Sequence, residues 1–257
     1  MITSATTPAQ QAEFARRIAG KPYFAAVMGT ALTLFGQKPG SGWSFYLLPG
    51  GALALRGGTA TLCGELPAGQ AGEEAAEELQ GFLHFLRVNR LLSEQQALDG
   101  WQQAEPLLLW ELPKEKTLPL PPAPPAELVF TDHPSMMPVS RLVFPDSEAE
   151  QEEFYSLACT SITHGVGCCR ALLGHGTPVC TVGCYEQSDG EAYMAAGVTA
   201  PEWRGRGLAG WLIVGLANAL ATERAVRFAS VPALQVFYRH LGFVQAGTIQ
   251  QTTRKWE

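Results

Sequence analysis

The chain has 257 residues, 46% of them hydrophobic, and a formal net charge of −6. That length allows one large or two small domains around a sizeable core, and the acidic balance argues against nonspecific nucleic-acid binding, which needs clustered positive charge. A net negative surface suits a cationic or amine-bearing partner, although net charge alone defines no site.

Met1 to Gln11 is polar and lacks the apolar stretch of a signal peptide, so a cytoplasmic location is expected. Helices are predicted over roughly residues 8–19 and 21–36. Three short strands follow, Trp43–Leu48, Ala52–Arg56 and Thr59–Cys63, separated by Gly50-Gly51 and Gly57-Gly58, a spacing that reads as an antiparallel meander. Glu73–Leu86 fits an amphipathic helix with Leu79, Phe82, Leu83 and Leu86 along one side. Leu107–Leu112 reads as a strand. Pro113, Pro119, Pro121, Pro122, Pro124 and Pro125 then exclude helix and central strand and predict an extended connector. The expected organisation is therefore residues 1–112, a linker over 113–127, and residues 128–257.

In the second half, Ser147–His164 is predicted as a helix, with Ser147 as its cap and Glu148, Glu150, Glu152 and Glu153 near its N-terminus. Strands are predicted over Cys168–Leu173, Val179–Tyr185 and Glu191–Thr199, the last two joined by a turn at Gln187-Ser188-Asp189-Gly190. Gly207–Arg224 is apolar nearly all round and reads as a buried helix. Its charge-free part, Gly207–Thr222, spans 16 residues, too short for a bilayer, and carries Asn218. A strand over 226–231, a helix over 232–241, a strand over 243–249 and a closing segment over Gln250–Trp256 complete the prediction. Cysteines 63, 159, 168, 169, 180 and 184 form no C-x-x-C pair, so reduced, packed thiols are expected and no metal site.

The turn before the buried helix carries the chemistry. Arg204-Gly205-Arg206-Gly207-Leu208-Ala209 has the pattern R-x-x-G-x-A and leaves backbone N–H groups free at the positive end of a helix dipole, a site for phosphate or diphosphate. Phe237-Tyr238-Arg239-His240-Leu241-Gly242-Phe243 matches Y-x-x-x-G-F at a suitable distance. Together these segments resemble the GCN5-related N-acetyltransferases (GNAT), over about residues 128–257. The resemblance implies an α+β fold with a mixed, mostly antiparallel sheet flanked by helices. It further implies acetyl-CoA as cofactor and a small-molecule or peptide amine as acceptor. The order of elements in residues 1–112 suggests a degenerate α/β subdomain of related fold.

The resemblance places the diphosphate on Arg204, Gly205, Arg206, Gly207, Leu208 and Ala209, and the pantetheine arm on the main chain of Val198 and Thr199. Tyr238 is the candidate acid for the leaving thiolate. A phenol of pKa about 10 can protonate a thiolate of pKa about 8.5 only if it is tuned or the transfer is concerted. Ser230 either bonds the cofactor arm or caps the helix that follows Pro232, capping being the stronger expectation. Where some members carry a glutamate as base, this chain has Tyr193. Glu191, two positions earlier on the same face, is the candidate base and equally an ordinary glutamate beside a turn. Glu202, His164, His175 and His240 read as structural or solvated.

Three functions compete: an N-acetyltransferase, a non-catalytic acyl-CoA-binding module, and a doubly wound dinucleotide-binding domain. Gly205-Arg206-Gly207-Leu208-Ala209-Gly210 formally matches G-x-G-x-x-G, but the mixed sheet and the lack of an acid ending the next strand count against the third. No nucleic acid and no membrane are expected as partners. The assembly, a homodimer included, is not coded in readable form.

Overall fold

The computed structural model describes residues 1–94 and 98–255. In chain order the first elements are β1 (Thr3–Ser4), α1 (Pro8–Ile18), α2 (Phe24–Phe35), β2 (Trp43–Leu48), β3 (Gly51–Arg56), β4 (Thr59–Gly64) and α3 (Gln70–Phe85). Next come β5 (Arg90–Ser93), β6 (Gln102–Gln103), β7 (Leu107–Leu112), β8 (Val129–Thr131), α4 (Met136–Val143) and α5 (Glu148–Thr163). The rest are β9 (Cys168–Gly174), β10 (Thr177–Gln187), β11 (Glu191–Thr199), α6 (Leu208–Ala221), β12 (Ala225–Ser230), α7 (Gln235–Leu241) and β13 (Val244–Thr253). These fall into two units, neither of them a continuous stretch. One holds residues 1–109, 229–235 and 246 onward, and the other holds 110–228 and 236–245.

In the first unit the strand order is β1-β2-β3-β4-β5-β13. The meander β2-β3-β4 is antiparallel, Phe45 facing Ala54 and Leu53 facing Leu62, as the glycine turns predict. The pair β4/β5 is parallel, Thr59 beside Arg90 and Leu62 beside Ser93, so α3 is its crossover. Leu79 and Leu83 of α3 are fully buried with Leu53, Leu62, Val88 and Leu91. Thr7 caps α1 through a reciprocal bond pair with Gln10.

In the second unit β8, β9, β10 and β11 are antiparallel neighbours and β12 adds parallel to β11. Side chains alternate across this sheet. Cys169 packs with Tyr185 beneath α4 and α5, whereas the next residue, Arg170, meets α6 on the other face. Ser147 caps α5, its Oγ accepting from the Glu150 N–H at 3.3 Å. Leu208, Leu212, Val214 and Leu216 bury α6 against β9, β10 and β11. Asn218, the polar residue of that apolar helix, binds the proline-rich segment. Its Oδ1 accepts from the Leu118 N–H and its Nδ2 donates to the Leu118 carbonyl, each at 2.8 Å.

Some elements differ from expectation. Helix α4 lies in a stretch for which no element is predicted; its Pro138 sits in the first turn, where proline is tolerated. The parallel partner of β4 is the four-residue β5, too short to show a period. Residues 232–241 divide into a 3₁₀ turn at Pro232–Leu234 and then α7. Two closing strands were expected where β13 runs unbroken to Thr253, and Trp256, the expected end of the second, lies outside the described residues. Among the described residues no helix is long and apolar enough to cross a membrane.

Candidate functional site

The site is built on β11 and the loop that follows it. β11 pairs with β12 only at Glu191–Tyr193, against Ala225–Arg227. From Met194 to Thr199 that edge of β11 has no strand partner among the described residues, so its backbone is open to an extended ligand. On its other edge β11 carries a bulge: Thr181 faces Val198 but Gly183 faces Ala195, so three steps on β11 oppose two on β10. The extra residue is accommodated at Ala196, whose φ of +54° is left-handed. A bulge removes an N–H from the ladder and re-aims it. Sequence reading missed it. The single available signal was Gly197 inside a strand, and Gly197 is exposed.

After Thr199 the chain makes a short 3₁₀ turn at Pro201–Trp203 and reaches the glycine loop. Gly205 and Gly207 both have left-handed backbone, with φ of +74° and +76°, which a side chain would strain. A Cβ added at either would meet no atom of the chain within 4 Å, so the space above the loop is open. Gly207 is the N-cap of α6 and has no side chain to cap it. The backbone N–H groups of Gly207, Leu208, Ala209 and Gly210 find no acceptor in the chain among the described residues. Four amides, an open face and the positive end of a 14-residue helix are the groups with which this loop could hold an anion. Both arginines are exposed at its rim. Arg204 Nε donates to the Thr199 carbonyl at 3.1 Å, and Arg206 lies 4.6 Å over the Trp203 ring. Val198 and Thr199 lie half-buried at the end of β11, and Thr199 Oγ1 is 3.1 Å from Cys180 Sγ.

Tyr238 is buried in α7. Its ring packs against Phe228 at 4.6 Å between centroids, Phe237 at 5.0 Å and Trp110 at 5.7 Å. Its hydroxyl has no hydrogen-bond partner in the chain among the described residues. Burial pushes its pKa up to about 12, so the phenol keeps its proton throughout the neutral range. Glu191 is 3% exposed and ion-paired, with Oε2 at 3.0 Å from Arg227 Nη1. Arg227 also grips Glu111, through Nε at 2.7 Å and Nη2 at 2.6 Å. Neither partner was foreseen: Glu111 and Arg227 sit 116 positions apart in the chain. The structure therefore brings the β11 end and the loop together, and sets Glu191 at the opposite end of β11, about 26 Å away at 3.3 Å per residue. Ser230 lies in the first unit; Val231, not Ser230, is the N-cap of the 3₁₀ turn, and Ser230 Oγ donates to the Val231 carbonyl at 3.2 Å. His164, His175, His240 and Glu202 are all exposed.

No protein-family model and no curated protein matches the chain. Solved structures do. A tandem GNAT protein from the clavulanic acid biosynthesis pathway aligns over 99% of this chain and 98% of its own, with a TM-score of 0.68 and 16% identity. A GCN5-related N-acetyltransferase from Sphaerobacter thermophilus aligns over 98% and 95%, with a TM-score of 0.63 and 14% identity. A GCN5-related N-acetyltransferase-like protein from Streptococcus suis covers 96% and 99%, with a TM-score of 0.61 and 17% identity. The chain has the GNAT fold. The likeness is wider than the second half on which the motifs lie, and it embraces residues 1–112 as well.

Within the GNAT fold the two units differ where it matters. The first unit repeats the strand-helix-parallel strand arrangement as β4-α3-β5, and its N-cap Gly69 shares a positive φ, +69°, with Gly207 but not its ψ, which is −156° against −1°. There the likeness ends. The preceding loop contains Pro67, which has no N–H. The Gly72 and Glu73 N–H groups are spent on the Gly69 carbonyl. Glu73 stands in the first turn of α3, and the Glu94 carboxylate accepts from the Gly64 N–H at 3.1 Å. With those amides bonded within the turn and Glu73 in the first turn of α3, the described residues of the first unit show no open cluster of amides like that at Gly207–Gly210.

Proposed function

We propose that the protein is an acetyl-CoA-dependent N-acetyltransferase, acting through the second unit on a primary amine of a small molecule or peptide. The open loop with four unsatisfied amides at the start of α6 carries this reading. The Gly207–Gly210 amides hold the diphosphate, with Gly205 and Leu208 shaping the turn and Arg204 and Arg206 adding positive charge. The unpaired edge of β11 at Val198 and Thr199 hydrogen-bonds the pantetheine arm, main chain to main chain. The N–H freed at the Ala196 bulge then donates to the thioester oxygen as it becomes an oxyanion.

The acceptor must attack as a free amine, and with a pKa near 10.4 only about one lysine-like amine in a thousand is neutral at pH 7.4. Attack gives a tetrahedral intermediate, which collapses with loss of the coenzyme A thiolate. Tyr238 supplies the proton to that sulfur. Moving a proton from a pKa of about 12 to one of about 8.5 is uphill by roughly 5 kcal/mol as a separate step, so the transfer accompanies C–S cleavage. Glu191, the candidate base, sits in its Arg227 ion pair at the far end of β11, so it serves the amine only through a relay of waters.

Two observations favour a second reading, an acyl-CoA-binding module without turnover: Glu191 is closed off in its ion pair, and Tyr193 stands where a glutamate base would be. The experiment that separates them is thiol release from acetyl-CoA with a panel of polyamines, aminoglycosides and peptides, run beside calorimetry. Acyl transfer predicts binding and amine-dependent release. Binding without release selects the second reading, and no binding removes both.

A further inference from the structure

Midway along α6 lies a cleft of about 230 Å³ lined by Leu120, Phe130, Arg170, Trp211, Leu212 and Gly215, all in the second unit. Its walls are apolar. Phe130 and Trp211 meet edge to face with centroids 5.5 Å apart, and Phe130 is 43% exposed, so the cleft opens to solvent. Arg170 is the one charge in the lining. Its Nη1 donates to the Gly215 carbonyl at 2.7 Å, and its guanidinium stands 6.0 Å over the Phe130 ring. Among the described residues no carboxylate pairs with Arg170, and its Nε and Nη2 donors have no acceptor. A half-buried guanidinium against hydrocarbon without a counter-ion is incompletely compensated, and its planar fork fits a carboxylate.

Gly215 adds an independent sign. A glycine inside a helix is destabilising relative to alanine, and packing does not demand this one. An added Cβ would meet only Arg170 Nη1 and Leu120 Cδ2, both at an ordinary 3.8 Å. What the missing side chain does leave is room in the cleft.

We propose that this cleft binds a small aromatic monocarboxylate, its ring against Phe130, Trp211 and Leu212 and its carboxylate on the free edge of Arg170. The size agrees: a cavity of about 150 Å³ takes one benzene, so the volume here admits a ring and a carboxylate, the class of benzoate and phenylacetate. The site is distinct from the glycine loop, because none of residues 204–210 lines it, and the proposal stands without the acyl-transfer reading.

The test is calorimetry and ligand-observed NMR on the full chain with benzoate and phenylacetate. Benzyl alcohol supplies a ring without charge, and acetate a charge without ring. Saturable binding of at least one aromatic acid is expected, with both controls at least tenfold weaker. Arg170→Gln should weaken it about ten- to a hundredfold, the effect of removing a hydrogen bond to a charged group. Gly215→Ala should also weaken it by narrowing the cleft while leaving Tm unchanged or raised. If Arg170→Gln fails to fold, Gly215→Ala carries the test alone. No saturable binding of either acid at millimolar concentration overturns the proposal. So does equal binding of benzyl alcohol, or affinity that neither variant changes.

Discussion

Gly207→Leu separates a loop that merely turns the chain from one that holds a diphosphate. The left-handed backbone at Gly207, φ +76°, makes any side chain there cost about 1–2 kcal/mol. In a chain of this size each kcal/mol lowers Tm by roughly 2–4 °C, so a fall of about 2–8 °C is expected. No atom of the chain lies within 4 Å of the added Cβ, so no clash enlarges that loss. The ligand fares worse. A leucine side chain standing over the Gly207–Gly210 amides breaks two or three charge-assisted hydrogen bonds of about 1.5–3 kcal/mol each, which is at least about a hundredfold in Kd. Gly176→Leu is the matched control, since Gly176 has φ +79°, equally open surroundings and a place in the β9–β10 turn. Calorimetry with acetyl-CoA and a thermal melt should show both variants folded and Gly207→Leu alone deficient in binding. Wild-type affinity in Gly207→Leu, or an equal loss in Gly176→Leu, refutes the assignment of the loop.

Tyr238→Phe keeps the ring among Phe228, Phe237 and Trp110 and removes only the hydroxyl; turnover should fall about a hundredfold or more with acetyl-CoA affinity unchanged. An unchanged rate removes Tyr238 as acid. The same residue predicts alkaline lability. Its folded pKa is raised to about 12 against about 10 unfolded, so between those values the unfolded chain has lost a proton that the folded chain keeps. Stability therefore falls as pH rises through that window, by about 3 kcal/mol, and urea titrations should show a flatter profile for Tyr238→Phe. Glu191→Gln breaks one arm of the Arg227 pair while Glu111 keeps the other; about 1–3 kcal/mol should be lost in urea unfolding, and an unaltered pH–rate profile would exclude Glu191 as base. Gly183→Ala places a Cβ 2.4 Å from the Tyr185 ring and should destabilise by about 1–3 kcal/mol in the same assay.

What the sequence revealed were features with a local cause. β2, β7 and β11 have the bounds that their patterns predict, and Ser147 caps α5, because alternation and capping act over a few residues. The loop was legible for the same reason: glycines at fixed offsets before an apolar run force one backbone shape. The remainder depends on partners distant in the chain. Ala196 gives no sign of its left-handed φ, which the register with β10 imposes. Glu191 reads as a surface acid until β12 brings Arg227 beside it. Arg170 reads as a strand residue of no consequence until α6 leaves Gly215 opposite.

The pairing of β13 with β5 has a bearing on how the protein is made. Arg90 must wait for Thr253, about 160 positions further along, before its strand acquires that neighbour. On the ribosome the amino-terminal sheet stays unfinished through most of translation, its β5 edge exposed to other chains. Cutting at the proline-rich segment would accordingly yield two fragments that each lack a piece of their own architecture, and co-expression of the pair, rather than either alone, is the way to recover them.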